Sequence, residues 1–86
     1  MHYVYILKSQ KTENWFYKGS AGDLKRRVAQ HSSGEVDATR PHLPVELVYY
    51  EAYVSEKAAR DREQSIKKSG SVWKPLMDRI KSSLDE

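Results

Sequence analysis

Short runs of branched and aromatic residues alternate along this chain with stretches whose apolar residues recur at helical spacing. Residues 2–8 (HYVYILK) are rich in strand-favouring side chains and predict a first strand. The polar run 9–14 (SQKTEN) predicts a turn, and 15–18 (WFYK) a second short strand, so the two form an antiparallel hairpin. Gly19-Ser20-Ala21-Gly22 reads as a small-residue loop. Asp23 is placed to cap a helix over 24–32 that Gly34 stops. Residues 34–44, with Gly34, Pro41 and Pro44, predict a loop, and 45–53 (VELVYYEAY) a third strand. Ser55 suits the N-cap of a helix over 56–68 that Gly70 ends. Ser71 is expected to cap a last helix with Pro75 in its first turn and an apolar stripe of Leu76, Met77, Ile80 and Leu84.

The order is therefore β-β-α-β-α-α. It predicts an α+β fold, a small three-stranded antiparallel sheet flanked by helices, with residues 1–86 forming a single domain. No repeat or low-complexity tract divides the chain.

Composition narrows the class. Hydrophobic residues make up 38% and charged residues 31% of the chain, and mean hydropathy is −0.81. These values suit a small globular core, and no apolar run approaches the roughly 20 residues that span a bilayer. The first residues lack the basic leader and cleavage site of a signal peptide. The chain has no cysteine, which excludes disulfides and thiolate metal sites and fits a cytoplasmic location. A net charge of +3 and a pI of about 9.2 tilt the protein toward anionic partners such as nucleic acid.

Two charges break the helical pattern. Leu24, Arg27, Val28 and His31 share one face, and Leu24 and Val28 are expected to face the core, which carries Arg27 and His31 with them. Ala59, Arg62, Glu63 and Ile66 share a face in the same way, which draws Glu63 toward the sheet. A charge in that position is costly unless paired or bound to a metal. Arg27 and Glu63 paired with each other in a semi-buried salt bridge would satisfy both. Tyr3, Tyr5, Tyr17, Tyr49, Tyr50 and Tyr53 all fall in strands, where tyrosine is favoured on packing grounds alone.

Taken together these residues resemble the GIY-YIG nuclease family, in particular its small single-domain bacterial branch and the N-terminal nuclease domain found in excinuclease. The resemblance runs from Tyr3 to about Ser69. Tyr3-Val4-Tyr5 matches the first name motif and Tyr17-Lys18-Gly19 the second, with Gly19 as its glycine. Arg27 falls on the family's catalytic arginine, His31 on a position held by histidine or tyrosine, and Glu63 on the metal-binding glutamate. Tyr3 replaces the first glycine and Lys18 an apolar residue. Ser20 stands where several relatives carry a lysine or another large residue, and no asparagine follows Glu63 at a further family position.

The resemblance implies a metal-dependent endonuclease that hydrolyses phosphodiester bonds with one Mg2+ or Mn2+ at Glu63, with DNA repair or recombination as its setting. Tyr5 and Tyr17 are then the candidates for activating water, with Tyr17 favoured. A nearby cation such as Arg27 is expected to favour the phenolate. Arg27 would stabilise the phosphate as charge builds, and His31, with an ordinary pKa near neutrality, would relay a proton. Lys25, Arg26, Arg40, Lys67 and Lys68 are candidate phosphate contacts with little base-reading pattern, so weak sequence specificity is expected. Nucleic acid, DNA foremost, is the expected partner, with protein partners supplying targeting. Two other readings fit the sequence: a nucleic-acid-binding module of the same fold without activity, and an interaction domain using the tyrosine-rich third strand as an edge.

Overall fold

The computed structural model describes residues 1–85. Strand β1 (His2–Ser9) lies in the middle of a three-stranded antiparallel sheet, between β2 (Phe16–Ala21) and β3 (Val45–Tyr53). Its central position explains its sequence. Val4, Tyr5, Ile6 and Leu7 are all buried, because the strand is covered on both faces. Val4 and Ile6 pack with Ala59, Ile66, Leu76 and Ile80 from helices α2 (Glu56–Lys68) and α3 (Gly70–Leu84). Tyr5 and Leu7 alternate to the opposite face, beneath helix α1 (Leu24–Ser32) and the segment that follows it, with its 3-10 turn at Arg40–His42.

The second strand starts one residue later than the sequence suggests and runs three residues further. Gly19, Ser20 and Ala21 are strand rather than loop, paired with Tyr5, Val4 and Tyr3. Ladder pairing to a buried central strand overrides the weak strand preference of these small residues.

Strand β3 carries a bulge. Tyr49 pairs with Ile6 but Leu47 with Leu7, which leaves Val48 as the extra residue. Val48 and Tyr49 consequently both pack on the α2–α3 core. On that face Glu51 accepts both arms of the Arg62 guanidinium at 2.9 and 3.0 Å, and the hydroxyls of Tyr49 and Tyr53 donate to it as well. Burial works against this charge, but Arg62 and the two hydroxyls outweigh it and hold the carboxyl at about 2. The network ties α2 to β3.

Several helical expectations are corrected. Gly70 does not end α2; Ser69 does, and the same extended residue, rather than Ser71, starts α3, its carbonyl accepting from Val72 and Trp73. Pro75 accordingly sits inside α3, beyond its first turn. Leu76 and Ile80 are buried as the stripe requires, while Leu84 is exposed. On α1, Leu24 and Val28 are only half-buried, beside a groove they share with Tyr3, Leu47 and Tyr50. The fully buried residue of that helix is His31. Asp23 caps α1 as expected, accepting from the Arg26 amide at 3.0 Å.

Candidate active site

Strand alternation and one glycine assemble the site. Tyr17 and Gly19 point to the same side of the sheet as Tyr5, under α1. A Cβ on Gly19 would lie 2.6 Å from both the Cζ and the hydroxyl of Tyr5, and 3.0 Å from the Tyr17 ring. Glycine thus creates the space into which the Tyr5 phenol is set. The Tyr5 and Tyr17 rings are 6.3 Å apart, and His31 lies 4.9 Å from Tyr17 by ring centroids.

The Tyr5 hydroxyl lies 2.8 Å from Nε2 of His31, whose Nδ1 lies 2.8 Å from Oγ1 of Thr39. One proton arrangement satisfies every member: Tyr5 donates to Nε2, Nδ1–H donates to Thr39, and Thr39 donates to the Val36 carbonyl. Burial pushes the Tyr5 hydroxyl up to about 12, with smaller raising contributions from Tyr17 and Glu63 that the lowering effect of Arg27 does not overcome. Tyr5 is therefore a proton donor at neutral pH, contrary to the expectation that Arg27 would favour its phenolate. Burial, aided by the Arg27 charge, lowers His31 to about 4. His31 is thus neutral near pH 7 and does not titrate there, which corrects the expectation of a near-neutral relay.

Arg27 is half-buried beside this cluster, close enough to act on both Tyr5 and His31. Its Nη1 donates to Oε1 of Gln30, one turn along the same helix, at 3.0 Å. Glu63 approaches from the other face, next to the β2 edge. It accepts from the Ser20 hydroxyl at 2.7 Å and pairs with Lys67 at 2.6 Å. Burial opposes its charge, but Lys67 and Ser20 prevail and lower its pKa. Among the described residues no salt bridge joins Arg27 to Glu63, so these two charges do not answer one another.

The basic residues divide. Lys25 and Arg26 are exposed on α1 and Lys68 at the end of α2. Arg40 is tied to its own loop, pairing with Asp37 at 2.5 Å and donating to the Gly34 carbonyl. Lys18 lies on the α2–α3 face, its Nζ 4.1 Å above the Trp73 ring, so it stands apart from Tyr17 as strand alternation requires.

Sequence reasoning misses Thr39, and it names Ser20 only as a departure from the family pattern, not as a partner of Glu63. Thr39 sits in an irregular segment with no local signal for a histidine partner. Ser20 reads as loop in the sequence; as a strand residue it must face α2. Trp15 is missed as well: it stacks on His42 at 3.8 Å and flanks Tyr17.

Among the described residues no three histidine, acidic or cysteine side chains gather as a metal-binding group. Glu63 nevertheless suits a hard divalent ion. It presents carboxylate oxygens beside a hydroxyl and already holds a cation, the Lys67 ammonium. Magnesium-type ions bind through one or two carboxylates and keep water and phosphate oxygens for their other positions.

Residues 1–74 match the family model described as the GIY-YIG catalytic domain. The chain belongs to the GIY-YIG family. It is 43% identical over 67 residues to a UPF0213 protein of Natronomonas pharaonis, covering 77% of this chain and 76% of that one. A UPF0213 protein of Haloquadratum walsbyi is 40% identical over 67 residues, covering 77% and 73%. The solution NMR structure of a UPF0213 protein from Bacillus halodurans superposes with a TM-score of 0.56 at 32% identity, covering 93% of this chain and 84% of that one. The three-stranded antiparallel sheet and the β-β-α-β-α-α order are those of this GIY-YIG fold. The family is in general one of nucleases that bind nucleic acid and use divalent metals. No described helix is long and apolar enough to cross a membrane.

Proposed function

We propose that this GIY-YIG protein is an endonuclease that hydrolyses phosphodiester bonds of nucleic acid, DNA foremost, with one Mg2+ or Mn2+ and little sequence specificity. The observation that carries this reading is the convergence of Tyr5, Tyr17, Arg27 and His31 around Gly19, with the Glu63 carboxylate near enough to act on the Tyr5 hydroxyl.

The residues divide the work. Tyr5, held protonated and fixed by His31 and Thr39, donates a hydrogen bond rather than accepting a proton. Tyr17, half-buried beside Tyr5 and His31, orients the attacking water. Arg27 offers a guanidinium fork to the non-bridging oxygens as negative charge accumulates. Its bond to Gln30 is an exchangeable one within a single helix. A metal ion on Glu63 would supply Lewis-acid polarisation of the phosphate and stabilise the leaving oxygen. Water adds to phosphorus through its oxygen and gives up a proton to solvent, the P–O ester bond breaks, and the departing oxygen takes up a proton, giving a phosphate monoester and a hydroxyl. Lys25, Arg26, Arg40, Lys67 and Lys68 contribute sequence-independent phosphate contacts. A role in DNA repair or recombination and a cytoplasmic location belong to the same proposal.

A second reading, a nucleic-acid-binding module of this fold without cleavage, draws on the ion pair that occupies Glu63. A cleavage panel of single-stranded, branched and supercoiled substrates with Mg2+ or Mn2+ separates the two. Metal-dependent cleavage abolished by Arg27→Ala supports the nuclease. Binding without cleavage on every substrate, retained in Arg27→Ala, supports the module.

A further inference from the structure

Lys67 and Glu63 are spaced i, i+4, with the acid first, the favourable order for a helical pair. Three other pairs in α2 and α3 share the i, i+4 spacing: Arg60–Glu56, Lys57–Asp61 and Lys74–Asp78. Both partners are well exposed in each of them. The pair at Glu63 differs: its carboxylate is only 13% exposed, while the Lys67 side chain remains 41% exposed. The acid is built into the fold, fixed by Ser20 from the sheet, and the base is free to leave. Lys67 also has a reason to leave. The Lys18 ammonium lies near enough for the two positive charges to oppose one another, and Lys18 is held over Trp73. An arriving polyanion would be attracted by both.

We propose that Lys67 is a displaceable internal counterion: it occupies Glu63 in the free protein and passes to a backbone phosphate when nucleic acid binds, which frees the carboxylate for the metal ion. The proposal rests on the reading of Glu63 as the metal ligand. Metal and substrate then enter together, and the free protein binds divalent ions weakly. Lys67 acts through Glu63 and is a positioning residue.

The test is Mn2+ binding to the full chain, read from the electron paramagnetic resonance of free Mn2+ in wild type, Lys67→Gln, Lys67→Arg and Lys67→Gln/Glu63→Gln. Lys67→Gln is expected to bind Mn2+ about fivefold more tightly, the scale of an ion pair of this exposure. Lys67→Arg, which keeps the pairing, should bind as wild type does, and the double variant should lose the gain. A short DNA oligonucleotide added to Arg27→Ala protein, compared with Arg27→Ala/Glu63→Gln to subtract Mn2+ held by the DNA, should produce a Glu63-dependent gain as well. Equal Mn2+ binding in Lys67→Gln and wild type overturns the proposal, as does the absence of any Glu63-dependent gain with oligonucleotide. If wild type cleaves DNA with metal yet Lys67→Gln leaves Mn2+ binding unchanged, the counterion role fails and the nuclease reading stands. If no substrate is cleaved but Lys67→Gln tightens Mn2+ through Glu63, the nuclease reading fails and the counterion role stands.

Discussion

The hydroxyl of Tyr5 lies 2.6 Å from where a Cβ on Gly19 would be, so the space left by one missing side chain fixes the position of the other residue's reactive group. The two are also partners across the β1–β2 ladder. A side chain cannot be added at position 19 without moving Tyr5.

Gly19→Ala is therefore expected to displace Tyr5 and break its bond to His31. Overpacking at this contact should cost about 1–3 kcal/mol of stability. Urea unfolding measures that cost. Cleavage should fall further than the stability loss accounts for, which a nicking assay at a temperature where the variant stays folded will show.

Arg27→Ala should reduce cleavage by about 10²–10³-fold, the scale of losing one positioned donor to a developing charge. Stability should change little, because the hydrogen bond lost is to Gln30 on the same helix. Arg27→Lys should not restore activity, since an ammonium lacks the planar fork. Single-turnover rates together with thermal melts check both statements.

His31 should give stability a pH dependence of its own. Its folded pKa of about 4 lies below the ordinary 6.5, so between these values the unfolded chain binds a proton that the folded chain does not. Stability from this group is full above pH 6.5 and falls as pH drops toward 4, by roughly 3 kcal/mol in all. Glu51, held at about 2 against an ordinary 4.5, acts in a lower window: its contribution is full above pH 4.5 and is lost as pH falls toward 2. Denaturant titrations from pH 2 to 8 should show two segments of rising stability, the upper one missing in His31→Gln and the lower in Glu51→Gln.

Nucleic-acid affinity should depend on salt. Removing Lys25 or Arg26, both exposed on α1, should weaken binding about equally across sequences and lower the salt slope by about one per contact. Fluorescence anisotropy over a salt series measures this. An unchanged slope in both variants would remove α1 from the binding face.

Glu63→Gln should abolish metal-dependent cleavage while leaving stability within about 1 kcal/mol, since its ion-pair partner Lys67 is 41% exposed and an amide oxygen can still accept from Ser20. A variant that unfolds outright would instead assign Glu63 a structural role. Circular dichroism beside the cleavage assay distinguishes the outcomes.

The order of elements was legible in the residues alone, because it rests on local periodicity. The run from Val4 to Leu7 announced a strand, and the i, i+3, i+4 spacings around Val28 and Ile66 announced helices. The same spacing exposed Arg27 and Glu63 as charges on faces that ought to be apolar. Folding settled what those charges meet. The extension of β2 through Gly19 and Ser20 depends on pairing with β1, and Ser20 reaches Glu63 only once the strand is extended. Thr39 supports His31 from a segment with no repeating pattern. The protonation of Tyr5 and His31 was not legible at all: an isolated tyrosine or histidine has its ordinary pKa, and the burial and neighbouring charges that shift it exist only in the folded chain. Local patterns are set by backbone geometry, which neighbouring residues share. Desolvation and the choice of partner act through space, between residues the chain brings together only by folding.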